Sequence, residues 1–167
     1  GYLNSLKPWY IIDKTPSSLE KYLILLSSET ELDKNIFKKM NRLIIDATNE
    51  NIFLMIINNN NIYNITYENS KTNYERLIIL ISDFLSKKDL NIKDVNFLYV
   101  NRGPGSFAGI RNSLSTIKAI HMVNNIDYFC YSLGDFKGEN NIKYENIPYL
   151  CDKFKIKKNL IKPIYIS

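Results

Sequence analysis

The segment YVNRGPGSFAGIRNSLSTIKAIHMV, residues 99–123, contains the pattern that decides the fold. It begins with a strand-like run, turns at Gly103-Pro104-Gly105, and continues with the apolar periodicity of an amphipathic helix. The chain has only six glycines and five prolines in 167 residues. Their concentration here predicts a tight connection between a strand and a helix, with Ser106 as the helix N-cap.

Two nucleotide-binding loops are superficially similar to this connection, and neither fits. A Walker A loop requires G-x-x-x-x-G-K-[ST], whereas Gly103 and Gly109 lie one residue too far apart and Ile110-Arg111 follows them. The dinucleotide fingerprint fails because the spacing is G-x-G-x-x-x-G and no acidic residue ends a strand about 20 residues later. The residues alone leave open whether the connection holds a ligand or only joins two elements.

The composition is typical of a soluble globular protein, with 45% apolar and 23% charged residues. No apolar run approaches the roughly 20 residues that span a bilayer. The first residues also lack the pattern of a signal peptide. We therefore expect a cytoplasmic protein without membrane contact. The net charge of +5 is compatible with contact to nucleic acid.

Histidine and cysteine are too few for several common kinds of site. His121 is the only histidine, and Cys130 and Cys151 are the only cysteines. Two cysteines do not make a disulfide framework, so both are expected to be reduced. A zinc or iron centre and Ser-His-Asp chemistry are not expected, and the sequence predicts no metal and no cofactor.

Periodicity predicts an α/β protein with the element order β-β-β-α-β-α-β. Strands at 42–48, 51–57 and 61–67 are closely spaced, which favours an antiparallel meander. The remaining elements are a helix at 70–88, a strand at 94–101, a helix at 106–123 and a strand at 127–133. This order predicts a mixed five-stranded sheet flanked by helices, as in ribonuclease H-like proteins and in one lobe of actin-like (ASKHA) proteins.

The two ends of the chain stand apart from this pattern. We expect residues 1–39 to be an appendage with a helix start at Thr15-Pro16, and Met40 is a candidate translation start just before the first strand. Residues 40–133 form the main lobe. Residues 134–167 form a short C-terminal segment that ends in KPIYIS, which has the composition of an edge strand.

The connecting loop and its surroundings resemble the bacterial TsaB (YeaZ) family. GPGSFAGIR at 103–111 is similar to the family signature G-P-G-S-F-T-G-[LV]-R. The family's first strand carries I-D-T-[AS], matched here by residues 45–48, and its first helix often reads H-S-E-x-L, matched by residues 73–77. The resemblance covers residues 40–133 and gives the signature loop as Gly103, Pro104, Gly105, Ser106, Phe107, Gly109 and Arg111.

This resemblance implies an actin-like fold of the peptidase M22 (glycoprotease) type without peptidase activity. Proteins of the family are non-catalytic partners of TsaD, and together with TsaE and TsaC they make threonylcarbamoyladenosine (t6A) in tRNA. The resemblance therefore implies a TsaD homologue as partner, a TsaE homologue as a further one, and tRNA reached through the complex. TsaD carries an H-x-x-x-H metal motif, which this chain with its single histidine lacks.

Three features depart from the family pattern. Ala108 replaces the usual threonine of the signature, and Asn73-Tyr74 replaces His-Ser on the first helix. Residues 134–167 also replace most of the family's second lobe. The lobe that the resemblance assigns to partner binding remains. Nucleotide contacts that depend on the second lobe do not follow from the resemblance.

The second predicted helix offers two apolar surfaces. Phe107, Ile110, Leu114 and Ile117 form a stripe suited to the sheet, and other apolar residues form a second arc. One sheet cannot bury both, so the second arc is expected to meet a partner unless one end of the chain covers it. In the family, the helices form a four-helix bundle with TsaD. The predicted interface comprises Leu77, Ile81, Phe84, Ala108, Ala119, Met122 and Val123.

An enzyme on the same fold is the alternative. Asp46 ends the first strand, where ribonuclease H-like nucleases place a metal-binding aspartate and actin-like ATPases face a phosphate. Thr48 is a further candidate for a vestigial nucleotide contact. A two-metal nuclease needs several converging carboxylates; Glu75 could be a second one, but Asn101 is a poor anionic ligand. We therefore favour the non-catalytic function.

The C-terminal segment carries a cluster of lysines. We hypothesise that they add a non-specific electrostatic contact with tRNA, which would weaken steeply with salt. A solvated edge is the alternative. The residues are Lys153, Lys155, Lys157 and Lys158.

Overall fold

A mixed five-stranded sheet with the strand order β3-β2-β1-β4-β5 forms the centre of the protein. A computed structural model describes residues 40–59 and 61–165, so the helix start predicted at Thr15 lies outside the described residues. β1, β2 and β3 pair antiparallel, and β4 and β5 run parallel to β1. The α/β class and the mixed sheet are confirmed. The strands are β1 (Asn41–Asp46), β2 (Asn51–Asn58), β3 (Asn61–Glu68), β4 (Phe97–Asn101) and β5 (Asp127–Tyr131).

The parallel strands bring three chain positions together at one edge of the sheet. β1, β4 and β5 all point the same way, and Ile45 of β1 pairs with Val100 of β4. The strands therefore end side by side at Asp46, Asn101 and Tyr131. β1 and β4 lie in the middle of the sheet and are almost entirely buried, which explains their nearly continuous apolar sequences.

Three of the four described α-helices cover one face of the sheet, and the fourth lies on the other face. The helix predicted at 70–88 is in fact two, because Arg76 leaves helical geometry with φ −120° and ψ 30°. Its N–H donates to Asn73 and Tyr74 carbonyls instead of continuing the helical ladder. The other predicted helix is present, and a short one follows in the C-terminal segment. The helices are α1 (Lys71–Glu75), α2 (Leu77–Ser86), α3 (Phe107–Asn124) and α4 (Ile147–Lys153).

Three residues of the predicted partner interface lie on the inner side of α2. Leu77, Ile81 and Phe84 are buried in the core between the helices and the sheet. The outer side of α2 carries Ile78 and Ile79, which are exposed. Helical periodicity places five apolar residues of α2 on one stripe, and these are the ones that are buried: Leu77, Leu80, Ile81, Phe84 and Leu85.

The C-terminal segment covers the other face of the sheet. Phe136, Ile147 and Leu150 are buried against Ile44 of β1 and Tyr99 of β4. They form a second core cluster, separate from the one beneath the helices. A sheet with two apolar faces is therefore covered on both sides.

The end of the described chain is not the edge strand that was predicted. Residues 161–165 have no strand geometry, and a single antiparallel bridge joins Lys158 to Phe129 of β5. Pro163 lacks the N–H that a strand ladder needs. The Ile164 N–H instead donates to the carbonyl of Arg102 at 2.8 Å, so the segment is fastened to the loop after β4.

Two isoleucines of α2 provide a matched test of this packing. We expect Ile81→Ala, at a side chain with 0% exposure, to lower the free energy of unfolding by about 2–5 kcal/mol, because it leaves a cavity in the core. Ile79→Ala removes the same atoms from a side chain that is 48% exposed and should cost about 0.5 kcal/mol. Urea unfolding measures both values. Equal losses would contradict the orientation of α2.

Candidate functional site

Asp46 is the centre of a buried hydrogen-bond network at the strand ends. Its side chain is only 3% exposed. One carboxylate oxygen accepts from the Thr48 N–H at 2.9 Å and the Thr48 hydroxyl at 2.6 Å. The other oxygen accepts from the Asn101 amide at 3.1 Å and the Tyr144 hydroxyl at 2.8 Å. Both oxygens are thus engaged by side chains from three parts of the chain.

Sequence reasoning brought Asp46 and Thr48 together but missed Tyr144. Tyr144 comes from the C-terminal segment, and its ring stacks on Phe53 of β2 with centroids 4.0 Å apart. Burial and the nearby negative charge of Asp46 both raise the pKa of Tyr144 far above its usual value, so its hydroxyl stays protonated and donates. A contact between positions this distant in sequence leaves no local pattern.

Glycines allow the loop after β4 to lie against its neighbours. Gly103 has φ +108°, a conformation that favours glycine, and a Cβ there would collide with the carbonyl of Ile164. A Cβ on Gly105 would collide with the carbonyl and side chain of Thr48. A Cβ on Gly109 would collide with the carbonyl of Ala47. The glycines therefore permit close backbone packing between this loop and the end of β1.

Ser106 begins α3 as predicted. Its hydroxyl accepts from the Gly109 N–H at 3.1 Å and lies 3.0 Å from the Tyr74 hydroxyl of α1. Its own N–H donates to the carbonyl of Thr48 at 2.9 Å. The first turn of α3 is thus tied both to β1 and to α1.

Arg102 attaches the C-terminal segment to the same loop. Its guanidinium forms an ion pair with Asp135 at 2.8 Å and donates to the carbonyl of Lys162 at 3.0 Å. Phe107 was predicted to face the sheet, but it is 55% exposed. Its ring lies 4.7 Å from that of Tyr165, and the Arg111 guanidinium lies 5.4 Å from it. Phe107 and Arg111 therefore lie on the protein surface at the start of α3 and do not pack in the core.

A cleft of about 400 Å³ opens above the strand ends. Within residues 40–59 and 61–165, no group of three His, Cys, Asp or Glu side chains comes together as a metal site. Glu75, the other carboxylate considered, is exposed in α1 and does not line this cleft. The cleft is lined by Asp46, Thr48, Asn49, Asn101, Gly103, Pro104, Ser132, Leu133, Gly134, Ile142, Tyr144 and Ile147.

The outer face of α3 carries the other part of the predicted interface. Met122 is 74% exposed, Val123 is 81% exposed, and Ala119 is exposed beside them. Ala108 is half-buried at the opposite end of the helix. These residues are accessible, in contrast to the three of α2 that lie in the core.

Two of the four C-terminal lysines are engaged with carboxylates. Lys153 forms an ion pair with Glu139 at 2.7 Å, and Lys158 lies 3.4 Å from Asp127. Lys155 and Lys157 are exposed. Less positive charge is therefore open to a nucleic acid than the sequence suggested, and the tRNA contact stays a prediction.

Comparison with known proteins finds a partial sequence match and structures of similar fold. No protein-family model matches the chain. A tRNA threonylcarbamoyladenosine biosynthesis protein TsaB from Buchnera aphidicola subsp. Baizongia pistaciae is 27% identical over 75 residues, which are 45% of this chain. The solved structure of YeaZ from Pseudomonas aeruginosa matches with a TM-score of 0.52 and 17% identity over 58% of this chain. The comparisons confirm the resemblance to the TsaB (YeaZ) family.

These matches cover only part of this chain and of the similar proteins. A second structure, described as an uncharacterized protein with similarity to peptidase YEAZ from Pseudomonas aeruginosa, has a TM-score of 0.53 at 17% identity and covers 58% of this chain. At that identity the structures support the fold alone. The chain spans 34% of the Buchnera protein and 46% and 45% of the two solved chains. None of the described helices is long and apolar enough to cross a membrane.

The close packing of the loop predicts a strong penalty for a side chain at Gly105. We expect Gly105→Val to lower the free energy of unfolding by more than about 2 kcal/mol, because the new side chain would overlap Thr48. Gly134→Val is the control, since the nearest atom to a Cβ there is 3.9 Å away. Thermal and urea unfolding compare the two variants. A Gly105 variant as stable as the Gly134 variant would contradict close packing of the loop.

The network around Asp46 predicts a structural effect of removing its charge. Asp46→Asn places an amide N–H₂ opposite donors from Thr48, or from Asn101 and Tyr144, and should cost about 1–3 kcal/mol of stability at neutral pH. Asp83→Asn removes an exposed carboxylate of α2 and serves as control. If urea unfolding gave equal midpoints and slopes for both variants, the network would not contribute to the free energy of unfolding.

Proposed function

We propose that this chain is a non-catalytic subunit that binds a TsaD homologue and supports t6A modification of tRNA. The observation that carries the proposal is the apolar outer face of α2 and α3. Four large apolar side chains are exposed on these two helices: Ile78 and Ile79 at the start of α2, and Met122 and Val123 at the end of α3. The resemblance to TsaB supplies the identity of the partner, and the TsaD contact itself is inferred.

The energetics of this face favour a protein partner. Fully burying a Val, Ile or Met side chain stabilises an association by about 1.5–3 kcal/mol. Four such residues are enough for the central contacts of an interface. Lys118 of α3 is exposed one helical turn before Met122, so the facing surface should be apolar with an acidic group at its rim.

The geometry of Asp46 supports a non-catalytic function over the enzymatic alternative. Its carboxylate oxygens already accept four hydrogen bonds from Thr48, Asn101 and Tyr144. A catalytic or metal-binding carboxylate needs at least one oxygen directed at the substrate or the ion, and neither oxygen of Asp46 is so directed while Tyr144 occupies its present position. Magnesium-dependent cleavage of nucleic acid, or ATP hydrolysis, that disappeared in Asp46→Asn would overturn this part of the proposal.

Charge substitutions on α3 test the interface. Met122→Lys and Ala119→Glu alter exposed side chains, so both variants should melt like the parent protein. Each should weaken binding to the TsaD homologue from the same genome by at least about tenfold, because the complex would bury an unpaired charge. Calorimetric titration measures the affinity, and thermal melts check the folding.

A control on the other side of the sheet keeps the test specific. Tyr149 of α4 is 65% exposed, and Tyr149→Lys should leave the affinity unchanged. Unchanged affinity in both α3 variants would exclude this face as the interface. Sedimentation of the chain alone, with and without Met122→Lys, separates a TsaD contact from pairing of two copies of this chain.

A further inference from the structure

Two neighbouring clefts at the strand ends share one wall. The cleft of about 400 Å³ contains Asp46, and a second cleft of about 750 Å³ lies beside Phe53 and Ser106. Thr48, Asn49 and Tyr144 line both. Thr48 and Asn49 belong to the end of β1, whereas Tyr144 is contributed by the C-terminal segment. Its side chain therefore separates two spaces that have a common floor.

Tyr144 is held in this position as a bound ligand would be. The ring stacks on Phe53 with centroids 4.0 Å apart and planes 18° apart. The hydroxyl donates to the Asp46 carboxylate at 2.8 Å. The site thus recognises a planar ring through an aromatic face and a hydrogen-bond donor through a buried carboxylate.

Tyr144 is held there by the Phe53 stack and the Asp46 hydrogen bond, and it lies between Ile142 and the buried Ile147 of its own segment. It begins a three-residue turn of 3₁₀ helix, and its neighbours Lys143 and Glu145 are both exposed. Displacing Tyr144 would break the stack on Phe53 and one hydrogen bond, and the strands beneath would remain paired.

Within the described residues, Tyr131 carries an unpaired hydroxyl in the surroundings of the same carboxylate. Tyr131 is fully buried, and its hydroxyl has no hydrogen-bond partner among the described residues. Burial, and to a lesser extent the charges of Asp46 and Tyr144, raise the pKa of Tyr131 well above its usual value. Its hydroxyl is therefore a protonated donor in the surroundings of Asp46, although Tyr131 lines neither of the two clefts.

We propose that Tyr144 is an internal occupant of a single strand-end site. In its present position it divides the site into two clefts and shields Asp46. When it is displaced, the joined cleft takes a planar aromatic molecule that carries a hydrogen-bond donor for Asp46, stacked on Phe53. None of the exposed apolar residues of the helix face proposed to bind TsaD lines either cleft, although Ser106, the N-cap of α3, lines the second one.

Replacement of the side chain by a small molecule tests the class of ligand. Tyr144→Ala should melt at a lower temperature than the parent protein, and phenol should restore part of the loss. Benzene has the same ring without the hydroxyl and should bind about tenfold more weakly, because it cannot donate to Asp46. Calorimetry with phenol and benzene gives the affinities. The parent protein should bind neither.

Three outcomes of this experiment would overturn the proposal. In the first, the Tyr144→Ala variant binds phenol and benzene with equal affinity. In the second, the folded variant does not bind phenol. In the third, the parent protein binds phenol as tightly as the variant does. The first would remove the part of Asp46 in recognition. The other two would show that Tyr144 does not occupy a ligand site.

A thiol probe tests the shielding in a variant that keeps the ring. Thr48→Cys places a thiol in the floor shared by both clefts. Burial raises the pKa of Cys130 and of Cys151 to about 12, so the native thiols should react slowly with a disulfide reagent. Adding Tyr144→Phe, which loses only the hydrogen bond to Asp46, should raise the labelling rate of the introduced thiol by about tenfold.

A tyrosine of the same segment that lies outside the two clefts supplies the control for labelling. Adding Tyr149→Phe to Thr48→Cys should leave the rate unchanged, because Tyr149 lines neither of the two clefts. Equal rates in the Tyr144→Phe and Tyr149→Phe backgrounds would mean that the Asp46 hydrogen bond does not hold the site closed, and the proposal would fail.

Discussion

The close contact between the end of β1 and the first turn of α3 is the constraint on which the rest of the structure depends. Gly105 lies against Thr48, and Gly109 lies against Ala47, with no room for a side chain at either glycine. The Ser106 N–H adds a hydrogen bond to the Thr48 carbonyl. Helices normally pack on sheets through side chains, so a backbone contact this close fixes the direction of α3 unusually well. That direction determines which side chains of α3 reach solvent.

The same contact brings polar groups to a place where water is excluded. A buried carboxylate is costly unless donors surround it, and Asp46 obtains them from Thr48, Asn101 and Tyr144. Because these donors come from β1, β4 and the C-terminal segment, Asp46 joins three parts of the chain. A carboxylate at the end of the first strand, where enzymes of this fold hold a ligand, here has an internal partner.

The sequence predicted most of the sheet and the connecting loop, because both have local signals. Strands and helices show their own periodicity, and the glycines and Ser106 mark the turn into α3. The assignment of three α2 residues to the partner interface conflicts with their burial in the core, and the break at Arg76 has no proline or glycine to announce it. The contact between Tyr144 and Asp46 could not be predicted, because the two residues are 98 positions apart and only tertiary packing brings them together.

The rigid start of α3 bears on whether the two proposed sites influence each other. Coupling between distant sites needs an element with two arrangements that both ligands distinguish. α3 is the element that reaches both the helix face and the strand ends, but shifting it would force Gly109 against Ala47 or separate Ser106 from Thr48. Tyr144, by contrast, can leave Asp46 without moving α3, because it belongs to the segment on the opposite face of the sheet. The geometry therefore favours two independent sites, in which occupation of the strand ends leaves the affinity of the helix face unchanged.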